Sequence, residues 1–234
     1  MNENMRTALL TMYGNLDAAA RRQEERGNSD QGERSKVTGG HHLDVVAEAL
    51  RNDLISAGYS PDGVYYKDGC LTLPGWFRPS KDWDLMAFDG DDLMATIELK
   101  SINSSFGNNC NNRSEESLGS AVDVGHAIKN ELIPFQVTPP VVGYVMVVKM
   151  CEDSTRPSKN SKKTLYPIDS VFKGASYLQR LVVLCRRLLS ERLYQAVWIV
   201  AVDPVTGTIV EPDQNLTYDK FVAAIAAQRN IHNA

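Results

Sequence analysis

The sequence predicts an α/β fold in which helices flank a central mixed β-sheet, and three observations support this class. Segments with apolar residues at helical spacing alternate with segments that have the period of a strand. The 234 residues suit one sizeable domain rather than two. Apolar residues make up 43% and charged residues 23% of the chain, which is close to the globular average and disfavours a disordered or fibrous class.

Two amphipathic helices are predicted at the N-terminal end. The first runs from Arg6 to Arg22 and the second from about His42 to Ala57, each with apolar residues three and four positions apart. Between them, Arg21 to Gly40 is almost wholly polar or glycine, which indicates an exposed linker. We therefore divide the chain into an N-terminal helix with a polar linker, residues 1–38, and a main domain, residues 39–234.

The apolar period changes to two in the next part of the chain, which predicts strands. A loop rich in Asn and Ser and a helix follow them. The predicted elements are a strand or hairpin from Val64 to Leu73, strands from Trp83 to Phe88 and from Leu93 to Leu99 around the turn signal Asp89-Gly90-Asp91, a loop from Asn103 to Asn112, and a helix from Ser114 to about Glu131.

The C-terminal half continues the alternation of strands and helices, as a mixed sheet requires. Its two strands are apolar and rich in β-branched residues. The predicted elements are a strand from Val141 to Met150, a polar loop from Glu152 to Lys163, a helix from Ser176 to Tyr194, a strand from Ala196 to Val202 and a helix from Thr217 to Gln228.

Several classes of protein are disfavoured by composition. No apolar stretch approaches the roughly 20 residues of a membrane helix, and the N-terminus lacks a signal pattern, so we expect a cytoplasmic protein without membrane contact. The four cysteines show no C-x-x-C spacing, which argues against a zinc site or a disulfide framework. A net charge of −4 does not favour nucleic-acid binding overall, although local basic patches remain compatible with it.

The predicted hairpin around the Asp89-Gly90-Asp91 turn carries acidic and basic residues that are compatible with a metal-dependent nuclease site. Asp84 and Glu98 supply the carboxylate pair that Mg²⁺ commonly takes in proteins. Lys100 projects from the same strand face as Glu98, where its ammonium could orient the attacking water and offset charge on the phosphorane. A salt-bridged strand facing solvent is the alternative, because Glu-x-Lys triplets are common, but the apolar neighbours Ile97 and Leu99 disfavour it.

The expected register of this hairpin favours Asp84 over Asp82 as the metal ligand. Paired residues of an antiparallel hairpin are equidistant from its turn, so a turn centred on Asp91 places Asp84 opposite Glu98 and Asp82 opposite Lys100. Directly opposed side chains have Cβ atoms about 4.5–5.5 Å apart, close enough for two carboxylates to share a cation. A bulge would shift the pairing.

Longer motifs in the chain resemble the XhoI family of type II restriction endonucleases. They are the Trp-Asp-Leu piece at Asp84, the Glu-Leu-Lys-Ser piece at Glu98, the Asn-Asn-Arg-x-Glu-Glu element ending at Glu116, and the segment Gly39-Gly-His-His-Leu-Asp44. The likeness extends from about Gly39 to near Asp203.

The resemblance implies a restriction-endonuclease-like core of the PD-(D/E)xK class, a Mg²⁺ cofactor and double-stranded DNA as the substrate. It also implies the palindromic target CTCGAG, cut to leave 5′ overhangs. Since each chain carries one catalytic set and a palindrome has two scissile phosphates, we expect a homodimer. A cognate methyltransferase is expected in the same system, without a stable complex.

Nucleases of the class that this chain resembles often take one more acidic residue from an N-terminal helix. Glu48 is the candidate for that catalytic role, and Asp44, one helical turn earlier, is the other choice. A solvated helix carboxylate is the alternative explanation for Glu48.

The loop after the catalytic strand is the candidate DNA-reading segment, because Asn pairs with adenine and Arg with guanine in the major groove. Loops also favour Asn and Ser for backbone reasons, so a structural role stays open. Basic residues of the later polar loop could contact phosphates, or could lie on a flexible solvated loop. The DNA-binding candidates are Asn103, Ser104, Asn108, Asn109, Asn111, Asn112, Arg113, Lys162 and Lys163.

Two other functions remain compatible with the residues alone. One is a PD-(D/E)xK nuclease of repair or mobile-element type with little sequence specificity. The other is a DNA-binding module without catalysis, which the complete set of Asp84, Glu98 and Lys100 disfavours.

Overall fold

The computed structural model describes residues 1–25, 41–67, 71–158 and 164–234. The α-helices within these ranges are α1 (Glu3–Glu25), α2 (Asp44–Ser56), α3 (Phe106–Lys129), α4 (Glu152–Thr155), α5 (Tyr177–Ser190) and α6 (Tyr218–His232). The strands are β1 (Val64–Tyr65), β2 (Thr72–Pro74), β3 (Ser80–Asp82), β4 (Leu85–Asp89), β5 (Asp92–Ile102), β6 (Val141–Lys149), β7 (Ala196–Asp203) and β8 (Thr208–Val210).

A six-stranded sheet in the order β1-β4-β5-β6-β7-β8 forms the centre of the molecule. The pairs β5–β6 and β6–β7 are parallel, whereas β1–β4, β4–β5 and β7–β8 are antiparallel. Strands β2 and β3 form a separate antiparallel hairpin. The mixed α/β class predicted from the alternating patterns is therefore confirmed.

Helices cover both faces of the sheet, and each face has its own apolar core. On one face α1, α2 and α6 contribute Leu9, Leu50 and Phe221, all essentially inaccessible to solvent. On the other face α3 and α5 contribute Val124 and Leu181. The central strands are buried on both sides, which explains why they read as almost continuous apolar runs in the sequence.

The segment predicted as one strand or hairpin, Val64 to Leu73, is divided between two sheets, so that prediction is wrong. Strand β1 pairs with β4 at the edge of the central sheet, and Val64 enters the core. Strand β2 pairs with β3 instead. A period of two identifies extended backbone, but it carries no information about which strand becomes the partner.

Helix α3 begins at Phe106, eight residues before the predicted start at Ser114. Phe106 and Cys110, one turn apart, are both buried, and the Phe106 ring stacks on Tyr177 of α5 with centroids 6.2 Å apart. This burial outweighs the poor helix propensity of the Asn-rich stretch. Residues 108–113 therefore lie on a helix, and the prediction of a loop there is wrong.

Three short elements, β3, α4 and β8, were not predicted, and α4 lies within the segment expected to be a polar loop. The predicted division of the chain at residues 38 and 39 lies outside the described residues. Among the helices that the structure describes, none combines the length and apolar character needed to cross a membrane.

Candidate active site

The hairpin of β4 and β5 places Asp84 beside Glu98. Its ladder ends with the pair Leu85–Ile97, which has the predicted register. Asp84 lies one residue beyond the ladder and bonds to the two residues of β5 that flank Glu98. Its N–H donates to the Ile97 carbonyl at 3.1 Å, and its Oδ2 accepts from the Leu99 N–H at 2.7 Å. Asp84 is therefore positioned by backbone groups on both sides of Glu98.

Two irregularities of the hairpin cancel to give this register. Asp89 pairs with Asp92, so the turn is centred between Gly90 and Asp91 rather than on Asp91, and Gly90 has the left-handed φ of +60°. The register then shifts between Ala87 and Phe88, which leaves Met94 of β5 as the extra residue. This bulge restores the pairing that a turn centred on Asp91 would give.

Glu98 is a buried carboxylate held by two lysines. It is 2% exposed. Its Oε1 lies 2.9 Å from the Lys100 Nζ and 3.1 Å from the Lys81 Nζ. Burial alone would raise the pKa of Glu98, but the two ammonium groups outweigh it and hold this pKa below its ordinary value. Glu98 is therefore kept ionised.

Asp84 has the opposite electrostatic character. Asp84 as a whole keeps an exposed surface, but the protein atoms packed around its carboxylate raise its pKa, and the Lys100 charge and the Leu99 N–H only partly offset this. The two acids of the pair thus have pKa values displaced in opposite directions, which is common at functional sites.

A buried tyrosine closes the inner side of the site. The Tyr194 hydroxyl lies 3.4 Å from Glu98 Oε2 and 3.1 Å from the Ser117 carbonyl on α3. It can donate to either acceptor, and burial beside the Glu98 charge raises its pKa well above the ordinary value. Tyr194 therefore stays neutral and links Glu98 to helix α3.

A cleft of about 640 Å³ opens from Glu98 between the sheet, the β2–β3 hairpin and α3. Lys81, Glu98 and Lys100 line its floor. The wall residues are Phe77 and Arg78 from the hairpin and Arg113, Glu115, Glu116, Gly119, Ser120 and Asp123 from α3. The mixture of cations around a carboxylate suits an anionic substrate that also brings a metal ion.

Arg113 is the predicted DNA-binding residue that lines this cleft. It is an α3 residue, ion-paired with Glu116, and its Nε has no hydrogen-bond partner. The other predicted DNA-binding residues differ in exposure and local bonding. Asn108, Asn111 and Asn112 are exposed on α3, Ser104 is exposed, Asn109 Nδ2 donates to the Ser104 carbonyl, and Asn103 Nδ2 donates to Ser101 Oγ. Lys162 and Lys163 lie outside the described residues.

The acidic residues of α2 are placed near Lys67. Asp44 Oδ2 lies 3.3 Å from His41 Nδ1 and forms an ion pair with Lys67 at the same distance, and the exposed Glu48 adds its charge to the environment of Lys67. The turn just before α2 nevertheless touches β5, because His42 Nε2 lies 2.7 Å from Ser101 Oγ. The catalytic role of Glu48 stays a prediction.

Asp82 does not pair with Lys100, contrary to the expected register. It belongs to β3, where it lies opposite Thr72 and accepts the Thr72 hydroxyl at 2.6 Å. Asp82 is not part of β4, which begins at Leu85, because β3 pairs with β2 in the separate hairpin.

Sequence reasoning missed Lys81 and Tyr194. Lys81 reaches Glu98 from the separate hairpin, and Tyr194 is 96 positions along the chain from Glu98. The only available signal for Lys81 was its presence in the acidic segment beside Asp84. Nothing in the local pattern distinguishes Tyr194 from an ordinary core tyrosine.

The model of the family Restriction endonuclease XhoI matches residues 22–210, which include the central sheet with Asp84, Glu98 and Lys100. The chain belongs to this family. The resemblance seen in the motifs is confirmed, and membership makes the protein a type II restriction endonuclease, a site-specific deoxyribonuclease.

Individual relatives of this family cover most of the chain. The type II restriction enzyme XhoI of Xanthomonas vasicola is 41% identical over 187 residues, which are 79% of this chain and 73% of the relative. The type II restriction enzyme BstVI of Geobacillus stearothermophilus is 36% identical over 205 residues, covering 84% and 90%. The type II restriction enzyme AbrI of Azospirillum brasilense is 38% identical over 153 residues, covering 64% and 68%. No solved structure matches the chain.

Proposed function

We propose that this endonuclease uses Mg²⁺ to cleave double-stranded DNA at the palindrome CTCGAG and leaves 5′ overhangs. The observation that carries the proposed chemistry is the buried Glu98 carboxylate with Asp84 beside it and Lys100 on its Oε1. The target sequence rests on the likeness to the XhoI family, because several relatives in that family span most of the chain.

The donor set fits a magnesium ion. Mg²⁺ commonly takes one or two carboxylates and fills its remaining positions with water and substrate phosphate. Asp84 and Glu98 supply two carboxylates. Within the described ranges, no larger group of three or more His, Cys, Asp or Glu side chains is arranged to hold a metal. When bound, the ion lowers the pKa of water and neutralises phosphate oxygens.

Each of the three motif residues has a proposed role in this chemistry. Asp84 and Glu98 would hold the cation. Lys100, a quarter exposed at the floor of the cleft, orients the attacking water and stabilises the charge that develops on the phosphorane. Arg113 contacts the DNA in this proposal, since it lines the same cleft from α3.

A homodimer completes the proposed enzyme. One chain carries one carboxylate pair, whereas a palindrome cut on both strands presents two equivalent scissile phosphates. A cognate methyltransferase that protects the same sequence is expected to act separately. Sedimentation of the protein free and on its DNA site should show two chains in the complex, and a monomer under both conditions would contradict this part of the proposal.

Plasmid digestion tests the function as a whole. A plasmid with one CTCGAG site should be linearised in Mg²⁺, left intact in EDTA, and left intact when one base of the site is changed. Sequencing of the ends should show 5′ overhangs. Discrete fragments that map to another sequence would reject the target alone, and a smear would reject the site-specific reading of this chain's activity.

A further inference from the structure

The second lysine on Glu98 comes from a part of the fold outside the catalytic strand. Lys81 is the middle residue of β3 and lies opposite Leu73 of β2. Its ammonium contacts the same Oε1 that Lys100 contacts, at 3.1 Å against 2.9 Å. The neighbouring β3 residues Ser80 and Asp82 are exposed, whereas the Lys81 side chain is only 13% exposed. Lys81 is therefore turned into the cleft.

An aromatic ring and a carboxylate both hold the Lys81 ammonium group in the cleft. Its Nζ lies 4.7 Å from the centre of the buried Trp83 ring, a cation–π arrangement. A single ammonium group is enough to balance one carboxylate, and Lys100 already provides it for Glu98. Both ammonium groups also act on Asp84, so two lysines balance two carboxylates, and a metal ion held by those carboxylates would leave the lysines with positive charge in excess.

The hairpin that carries Lys81 is fastened to α3 by a buried carboxylate. Asp123 is 3% exposed. Its Oδ1 accepts from the N–H groups of Trp76 and Phe77 at 2.9 and 2.7 Å, and its Oδ2 is ion-paired with Arg78 Nε at 2.7 Å. A Cβ at Gly75 would lie 2.6 Å from the Arg78 carbonyl oxygen, so this turn tolerates only glycine. The hairpin is thus preorganised over the cleft.

We propose that Lys81 is a second DNA-contacting cation of the active site and that its ammonium binds a backbone phosphate of the strand being cut. The inference rests on the proposed metal-dependent cleavage. With a metal ion held by Glu98, Lys81 would lose its place on Oε1, and its ammonium would remain in the cleft that it lines, where the substrate's phosphates would be its partners. Lys81 then pairs with phosphate in place of carboxylate.

The salt dependence of DNA binding tests this contact. Affinity for a CTCGAG duplex is measured against salt concentration with Ca²⁺ in place of Mg²⁺, and a denaturing gel checks that the duplex stays intact. Because each neutralised phosphate contributes about 0.9 to the slope of log affinity against log salt, Lys81→Gln should reduce the slope by about 0.9 for each bound subunit. Lys81→Arg should keep it.

Lys220→Gln is the matched control. Lys220 is an exposed lysine of α6, on the opposite face of the sheet, and it donates to Asn215 Oδ1. Its replacement should leave the slope unchanged. Should the Lys81→Gln protein fail to fold, Lys81→Met takes its place, because methionine keeps an unbranched apolar stem against Trp83.

Duplexes with one methylphosphonate each in the cut strand identify the phosphate. At one position, the methylphosphonate should weaken DNA binding by the wild-type protein at least about threefold. The same duplex should cause no further loss of binding in the uncharged Lys81 variant, as expected for coupled partners. Equal losses in both proteins at every position, or an unchanged salt slope, would overturn the proposal for Lys81. If wild type fails to cut the unmodified duplex in Mg²⁺, the proposed function itself is rejected.

Discussion

Replacement of Glu98 by Gln should weaken folding as well as abolish Mg²⁺-dependent cleavage. Glu98 provides the negative charge that Lys81 and Lys100 share on one oxygen. Gln has the same shape and keeps a neutral acceptor at that place, but it leaves both ammonium groups without a charged partner on β5. The substitution therefore isolates the charge of Glu98 from its volume.

The size of the effect follows from the two contacts and their exposure. Hydrogen bonds to charged groups are each worth about 1.5–3 kcal/mol. The lysine side chains are 13% and 24% exposed, so water recovers part of the loss, and the neutral Gln oxygen recovers another part. We expect a net loss of about 1–3 kcal/mol, which corresponds to a fall in Tm of about 3–10 °C for a domain of this size.

Thermal unfolding followed by circular dichroism measures this loss, and its pH dependence provides a second check. The pKa of Glu98 in the folded protein is depressed by Lys100 and Lys81 despite burial, so its stabilising contribution is complete above the ordinary value of 4.5. This contribution is lost as pH falls through the depressed pKa. The Tm difference between wild type and Glu98→Gln should therefore shrink in acid.

Asp84→Asn is the matched control for Glu98→Gln, because it also removes one carboxylate charge from the site. The raised pKa of Asp84 shows that the protein around its carboxylate disfavours the ionised form, although the residue is exposed, and the Asn oxygen can still accept the Leu99 N–H. Its Tm should stay equal to that of wild type or rise, even though cleavage is lost. A Glu98→Gln protein as stable as wild type at neutral pH would refute the reasoning about the shared charge.

Four further outcomes concern the cleft and its supports. Lys100→Ala should slow cleavage at least about 10²-fold without unfolding the protein, measured by single-turnover digestion and circular dichroism. Asp84→Asn should abolish cleavage but keep DNA binding, whereas Asp82→Asn should retain activity in the same digest; the reverse ranking would contradict the register. Arg113→Ala should weaken binding to a CTCGAG duplex in a titration while Tm is unchanged, and equal affinity would assign the residue a structural role. Asp123→Ala should reduce the free energy of unfolding by about 1–3 kcal/mol and lower Tm accordingly, because it leaves the Arg78 guanidinium and two backbone N–H groups without their acceptor. These donors hold the pKa of Asp123 below its ordinary value although burial alone would raise it. An unchanged Tm would contradict the anchoring role.

The hairpin that carries Asp84 and Glu98 could be predicted because its signals are local. Alternating apolar residues and an Asp-Gly turn define both strands, and the pairing of Leu85 with Ile97 follows from them. Even so, the prediction agreed with the structure only because the bulge at Met94 offsets the half-residue error in the turn centre. The start of α3 could not be predicted, since the burial of Phe106 against Tyr177 depends on a helix 71 positions away in the chain.

The amino-acid sequence by itself determined the α/β class, the order of the main helices and strands, and the three motif residues Asp84, Glu98 and Lys100, because periodicity, turn chemistry and short spacing are properties of neighbouring residues. Only the tertiary structure decided that Lys81 and Tyr194 share Glu98 with that motif. Those contacts join a separate hairpin and a distant segment to β5. Their partners are chosen by packing and by the cost of burying a carboxylate without compensation, neither of which is encoded in a local pattern.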